Sequence, residues 1–277
     1  MGLQVQSSAS RHVDVLRKKV FEDEPVFAYL AVAFAVAAFA FIITSFFDER
    51  IVLDVNVWVK PAKFAIALSL YVGTLAFYAR WLPAELCSNK FYRFYTLVVS
   101  AAVVAELVWI AGASAAGTTS HFNGETHFMA FIYPVMGALA VVLTSATLFY
   151  GVQIVLNRKT GLSDAVMLGL SGGLVLTFFS TVLVAGYLSS HGGHYVGAPG
   201  GDAATILFLG WSREVGDLRV AHFFATHAMH AGPLLGLAFC TILPARGAVA
   251  ATCFALGLYA SLIAFTFIQA RAGLPFM

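Results

Sequence analysis

Charge is what this chain has least of. Of its 277 residues only 11% are Asp, Glu, Lys or Arg, less than half the roughly 25% of an ordinary soluble domain. Apolar and aromatic residues make up 60%, and the mean hydropathy is +0.85. Such a composition cannot cover a globular surface with water-facing groups, which excludes a soluble enzyme and a disordered chain. A basic excess is missing too. The net charge of +2 offers no field for a nucleic acid or another polyanion. Three cysteines, Cys87, Cys240 and Cys253, are an odd number without metal-ligand spacing, so there is no disulfide framework. No Walker loop, dinucleotide fingerprint, HExxH helix or nucleophile elbow occurs.

What is present is long apolar runs. A bilayer core takes about 20 apolar residues in helical form, and seven stretches qualify: 26–47, 60–80, 94–117, 128–151, 163–188, 218–243 and 247–270. The fold class expected is all-α, an integral membrane bundle of seven transmembrane helices. Residues 1–25 form a polar tail, and 26–277 form one seven-helix domain with a long loop over 189–217. The first stretch is longer than a signal-peptide core and reads as an uncleaved first helix. Ten of the sixteen Lys and Arg fall on one side: Arg11, Arg17, Lys18, Lys19, Arg80, Lys90, Arg93, Arg158, Lys159 and Arg246. By the positive-inside rule that side is cytoplasmic, placing the N-terminus in the cytoplasm and the C-terminus outside. Trp58 and Trp211 then suit an outer aromatic belt and Trp81 an inner one. This topology is not that of a G-protein-coupled receptor, and the last stretch lacks the lysine that a retinal Schiff base requires.

With sides assigned, seven of the eight histidines lie outward: His121, His127, His191, His194, His222, His227 and His230. The sixth stretch carries three of them. At ~100° per residue, Arg219, His222, Thr226 and His230 fall within roughly 80° of one another, with His227 about 60° beyond His230. That is one polar stripe reaching from the outer surface toward mid-membrane. Asp217 is placed to cap this helix, and Pro233 deprives the Met229 carbonyl of its helical partner beside His230. Intramembrane histidines under an arginine are costly to bury and mark a site more often than a structural contact. Glu106, the one acidic residue deep in a stretch, is read as a metal ligand, proton acceptor or counter-charge. Lys60 and Lys63, flanking Pro61 at the start of the second stretch, either snorkel to lipid head groups or hold an anionic ligand. The loop 118–127 presents His121 and His127 around an Asn-Gly turn, and the apolar run 203–211 suits a lid. Gly169–Gly173 and Gly232–Gly236 have the small-xxx-small spacing of closely packed helices.

Four motifs, Trp58-x-Lys60-Pro61-x-Lys63-Phe64, Thr119-Ser120-His121-Phe122-Asn123, His194-x-Val196-Gly197 and Gly216-Asp217-Leu218-Arg219-x-x-His222-Phe223 with His227, together resemble a family of uncharacterised bacterial multi-pass membrane proteins. The resemblance implies a bacterial cytoplasmic membrane and no reaction. That family usually has Gln at the position of His230, which shifts weight to His121, His222 and His227.

The leading expectation is a metal- or haem-dependent membrane oxidoreductase with its site open outward. Its metal ligands are drawn from His121, His127, His222, His227 and His230. Lys60, Lys63, Asp217 and Arg219 line a cofactor, and Glu106 and Arg219 serve catalysis. Haem b or a transition metal (Zn, Cu or Fe) is the expected cofactor. The bilayer, and a small molecule or an electron or proton donor from the outer side, are the expected partners. The alternative is a proton-coupled transporter or channel using Glu106 and the sixth-stretch histidines. A third is a metal-dependent membrane hydrolase resembling the seven-helix alkaline ceramidase and adiponectin-receptor group. The second stretch has no His, however, and the seventh has no His-x-x-x-His pair.

Overall fold

A computed structural model describes residues 20–124, 126–198 and 209–277. It is nearly all helix. Among the described residues, seven helices are long and apolar enough to cross a membrane: α1 (Pro25–Thr44), α2 (Val59–Tyr78), α3 (Lys90–Ala115), α4 (His127–Leu156), α5 (Asp164–His191), α6 (Leu218–Ile242) and α7 (Ala245–Arg271). The chain is therefore a multi-pass membrane protein. Each helix corresponds to one apolar stretch, with ends displaced by up to several residues because capping, not hydropathy, sets the boundary. Asn89 accepts the Phe91 N–H to start α3, Ser163 accepts that of Val166 to start α5, and Asp217 accepts that of Arg219 to start α6. Helix α6 continues through Pro233 as one element. The N-terminal tail up to residue 19 and most of the expected lid run, 203–208, lie outside the described residues.

The fold divides into two compact units, Met1–Leu143 and Thr144–Met277, with the division falling inside α4. In the first, α1 and α2 are joined by a hairpin of β1 (Ile51–Val52) and β2 (Val55–Asn56), paired antiparallel with Val52 opposite Val55. Both turn residues, Leu53 and Asp54, take positive φ (52° and 60°), the backbone that a two-residue turn needs to match strand twist. Asp48 organises this connection. It accepts the Trp58 indole N–H (2.7 Å) and Arg50 Nη2 (2.6 Å), while Arg50 Nη1 donates to the last carbonyl of α3, Ala115 (2.9 Å). The hydrogen bonds from Arg50, then that from Trp58, hold the Asp48 carboxyl well below the usual carboxylate range. Trp58 is thus tied into the hairpin, its ring stacked on Phe41 at 5.7 Å.

At the opposite end of α1, Glu24 is buried and accepts the Tyr92 hydroxyl of α3 at 2.5 Å. Burial raises its carboxyl above the ordinary value, and the Tyr92 bond only partly offsets this. Because the folded-state pKa is raised, the protonated acid stabilises the fold fully below about pH 4.5, and that contribution is lost as pH rises through the folded value. Glu24→Gln keeps an acceptor for Tyr92 and cannot ionise. Its thermal midpoint in detergent should match wild type in acid and exceed it increasingly toward neutral pH. Parallel curves for the two proteins would show that Glu24 is not the titrating group.

In the second unit, α5 and α6 pack backbone to backbone. A Cβ on Gly169 would overlap the carbonyl of Gly232, one on Gly232 that of Gly169, and one on Gly173 would lie 2.5 Å from the Ala228 carbonyl oxygen. The two glycine motifs therefore face each other, the arrangement their spacing predicts. Helix α7 packs against both α5 and α6 through a cluster of Val184, Ala221, Ala225 and Ile263, and Tyr259 donates to the Phe224 carbonyl (3.0 Å). The ends of the long loop are zipped together as β3 (Tyr195–Val196) and β4 (Gly216–Asp217), with Tyr195 opposite Asp217. Gly197 has φ 108° and Gly216 lies against the Ala270 backbone, so each position excludes a side chain.

Candidate functional site

The residues singled out by sequence gather into two clusters, one in each unit. The first is built where α2 begins and α3 ends. Lys60 Nζ lies 3.3 Å from His121 Nδ1, and Ser120 Oγ lies 2.9 Å from the same nitrogen. A lysine ammonium only donates, so Nδ1 accepts from it and the His121 proton sits on Nε2. The loop is fixed to α3 because Trp109 Nε1 donates to the Ser120 carbonyl at 2.8 Å. It is braced internally by Asn123, which donates to Thr118 Oγ1 (2.9 Å) and the Thr119 carbonyl (3.0 Å). Phe122, at φ 55°, turns the chain so that the rings of Phe64 and Tyr133 stand 6.0 and 6.2 Å from the His121 ring. One turn before Trp109 on α3, Glu106 is 6% exposed. Among the described residues it makes no hydrogen bond, and it lies within electrostatic reach of Lys60. Two of the four family-like motifs thus meet here. Lys63 and His127, expected beside them, are exposed.

The second cluster begins at the β3–β4 zipper, where the other two motifs meet. Asp217, with no exposed side-chain surface, accepts Ser212 N–H (3.0 Å), Arg219 N–H (3.0 Å), Arg219 Nε (2.9 Å) and Arg219 Nη2 (2.6 Å). Arg219 Nη2 also donates to the Tyr195 hydroxyl (3.0 Å) and the Gly210 carbonyl (2.6 Å). From the sequence, Asp217 is expected to bind a cofactor and Arg219 both to bind it and to serve catalysis. In the fold they staple the two ends of the long loop to the start of α6. Nη1 is the one guanidinium nitrogen left without a hydrogen bond among the described residues. Tyr195 is the partner that sequence reasoning missed, since no local signal links it to an arginine 24 residues away. Trp211 is buried, its ring 5.3 Å from that of Phe223.

Further along α6, His227 Nδ1 lies 2.8 Å from the Phe223 carbonyl, and its ring stacks on Phe223 at 4.0 Å. A carbonyl oxygen has no proton to give, so Nδ1 carries the hydrogen and Nε2 carries the lone pair. The His230 ring stands 5.6 Å from that of His227 at 48°. His222 Nδ1 is shielded from solvent and has no hydrogen-bond partner among the described residues. Among the described residues, no three His, Cys, Asp or Glu side chains converge as a ready-made metal cage. Of the five histidines expected as ligands, His121 and His127 belong to the first unit, and His222, His227 and His230 to the second. The chain matches no family model, no curated protein and no solved structure.

Proposed function

We propose that this chain is an oxidoreductase of the bacterial cytoplasmic membrane, with its N-terminus inside. It holds one redox-active transition metal ion on the histidines of α6 and serves a small-molecule electron donor or acceptor from the outer side. The observation that carries this reading is His227. Its Nδ1–H is committed to a backbone carbonyl, the outer-shell bond that orients metal-ligating histidines and raises their basicity, which leaves Nε2 as the ligand. The second imidazole, His230, is at chelating distance. Two rings bound to one ion at metal–nitrogen distances of about 2.0–2.1 Å have centroids roughly 5–6 Å apart, and these are 5.6 Å apart. An ion fits better than haem, because two imidazoles on one helix approach a metal from the same side, whereas bis-histidine haem takes them from opposite faces. Imidazole ligands suit copper and iron, the members of the expected set that change oxidation state. With so few protein ligands, coordination positions remain for substrate or water.

Elemental analysis of the protein purified without chelator tests this. Wild type should carry copper or iron in stoichiometric amount. His227→Ala and His230→Ala should each lower it at least about tenfold, with helical content unchanged by circular dichroism. Full metal content in both variants would refute the assignment.

A further inference from the structure

We propose that Lys60, His121 and Glu106 form a proton-binding site inside the membrane-spanning part of the first unit, opening to water through the loop 119–123. It does not rest on the metal reading, since every group belongs to the first unit.

Three titratable side chains come here from three segments, in a region where a fixed charge is expensive. Glu106 is buried, has no hydrogen bond among the described residues and is not in ion-pair contact with Lys60, although the two interact electrostatically. A carboxylate with one distant counter-charge and no donor is poorly held as an anion. It is better held as an acid that ionises when a proton can leave. Lys60, already donating to His121 Nδ1 at 3.3 Å, provides the way out. The Nζ–H bond breaks as the Nδ1–H bond forms. The resulting imidazolium releases its Nε2 proton to water, and the Lys60 amine, swinging on its flexible stem from His121 into contact with Glu106, takes the carboxyl proton. The net change is one proton lost from the carboxyl and one delivered to the aqueous phase, with a Glu106 carboxylate left facing the Lys60 ammonium. Ser120 holds Nδ1 in line, and the Trp109 bond to its carbonyl fixes the height of the loop above Glu106.

Among the described residues the surroundings add little competing charge. Lys63 is exposed one turn further along α2, and His127 is exposed at the start of α4. Arg50 is neutralised by Asp48. Tyr133 of α4 presents its ring edge to His121. Helix α1 contains no Asp, Glu, Lys, Arg or His between Pro25 and Thr44.

Infrared difference spectroscopy of the full-length protein in lipid vesicles, recorded on pH jumps, tests the site. With Glu24→Gln present in every protein to remove the other buried carboxyl, the parent should show a protonated-carboxyl C=O band that disappears on alkalinisation and is absent once Glu106→Gln is added. Lys60→Met should move the midpoint of that band by about one pH unit or more, as loss of a neighbouring opposite charge does, whereas Lys63→Met should leave it in place. His121→Phe should keep the midpoint near that of the parent and slow the loss of the band after an alkaline jump at least about tenfold, by removing the transfer group. Lys60→Arg separates field from transfer. It keeps a cation that cannot give up its proton, so the midpoint should hold while the rate falls as in His121→Phe. The amide bands of the same spectra report folding. A band surviving in Glu106→Gln, equal midpoints for Lys60→Met and the parent, or an unchanged rate in His121→Phe would each overturn the proposal.

Discussion

Gly232→Ala should destabilise the second unit by about 3 kcal/mol or more, the upper end of overpacking costs, although Ala is the better helix former. The added methyl would overlap the Gly169 carbonyl and come within 2.9 Å of the Gly173 Cα. Both obstacles are backbone, so no rotamer change relieves them and α5 must move away from α6 along their shared face. In a bilayer, where lipid competes equally for apolar surface, this close approach is the main source of helix–helix attraction. Gly186→Ala on α5 and Gly257→Ala on α7 are the matched comparisons, because nothing lies within 4 Å of either position. They should be neutral or stabilising by up to about 1 kcal/mol. Thermal midpoints of the three variants in one detergent decide the matter: a Gly232→Ala midpoint equal to that of Gly186→Ala would show that the helices are not in contact there.

Asp217→Ala should cost about 3 kcal/mol. Breaking a buried ion pair typically costs about 3–5 kcal/mol and losing an N-cap about 1 kcal/mol, but the Arg219 side chain is 30% exposed and water recovers part of the loss. What remains is three unmet donors: the Ser212 and Arg219 amides and the Arg219 Nε–H. Asp217→Asn keeps acceptor capacity but loses the charge, so its midpoint should fall between those of Ala and wild type. Should Asp217→Ala melt with wild type, the β3–β4 staple is not holding the loop to α6. The same variant separates scaffold from site, since retained metal at lowered stability would leave Arg219 and Asp217 as supports rather than ligand groups.

The number, order and approximate limits of the seven helices were legible in the sequence, because crossing a bilayer is a demand on local composition. So were the stripe of Arg219, His222, Thr226 and His230, which needs only the helical period, and the glycine spacings that let α5 meet α6. Local caps were partly legible: Asp217 stood out before α6, while Ser163 and Asn89 did not. Which polar groups meet was decided only by tertiary structure. Lys60 reaches His121 across 61 residues, and Arg219 donates to Asp217 and Tyr195. Lys63, only one turn from Lys60, is exposed. Hydropathy and period say how deep a residue sits and on which side of its own helix. They carry no information about which neighbouring segment that side meets, because that depends on packing between elements far apart in the chain. The scarcity of charge therefore identifies a membrane protein and picks out its few candidate residues. The fold decides that Lys60 and His121 form a pair within electrostatic reach of Glu106, and that His227 Nδ1 is committed to the Phe223 carbonyl.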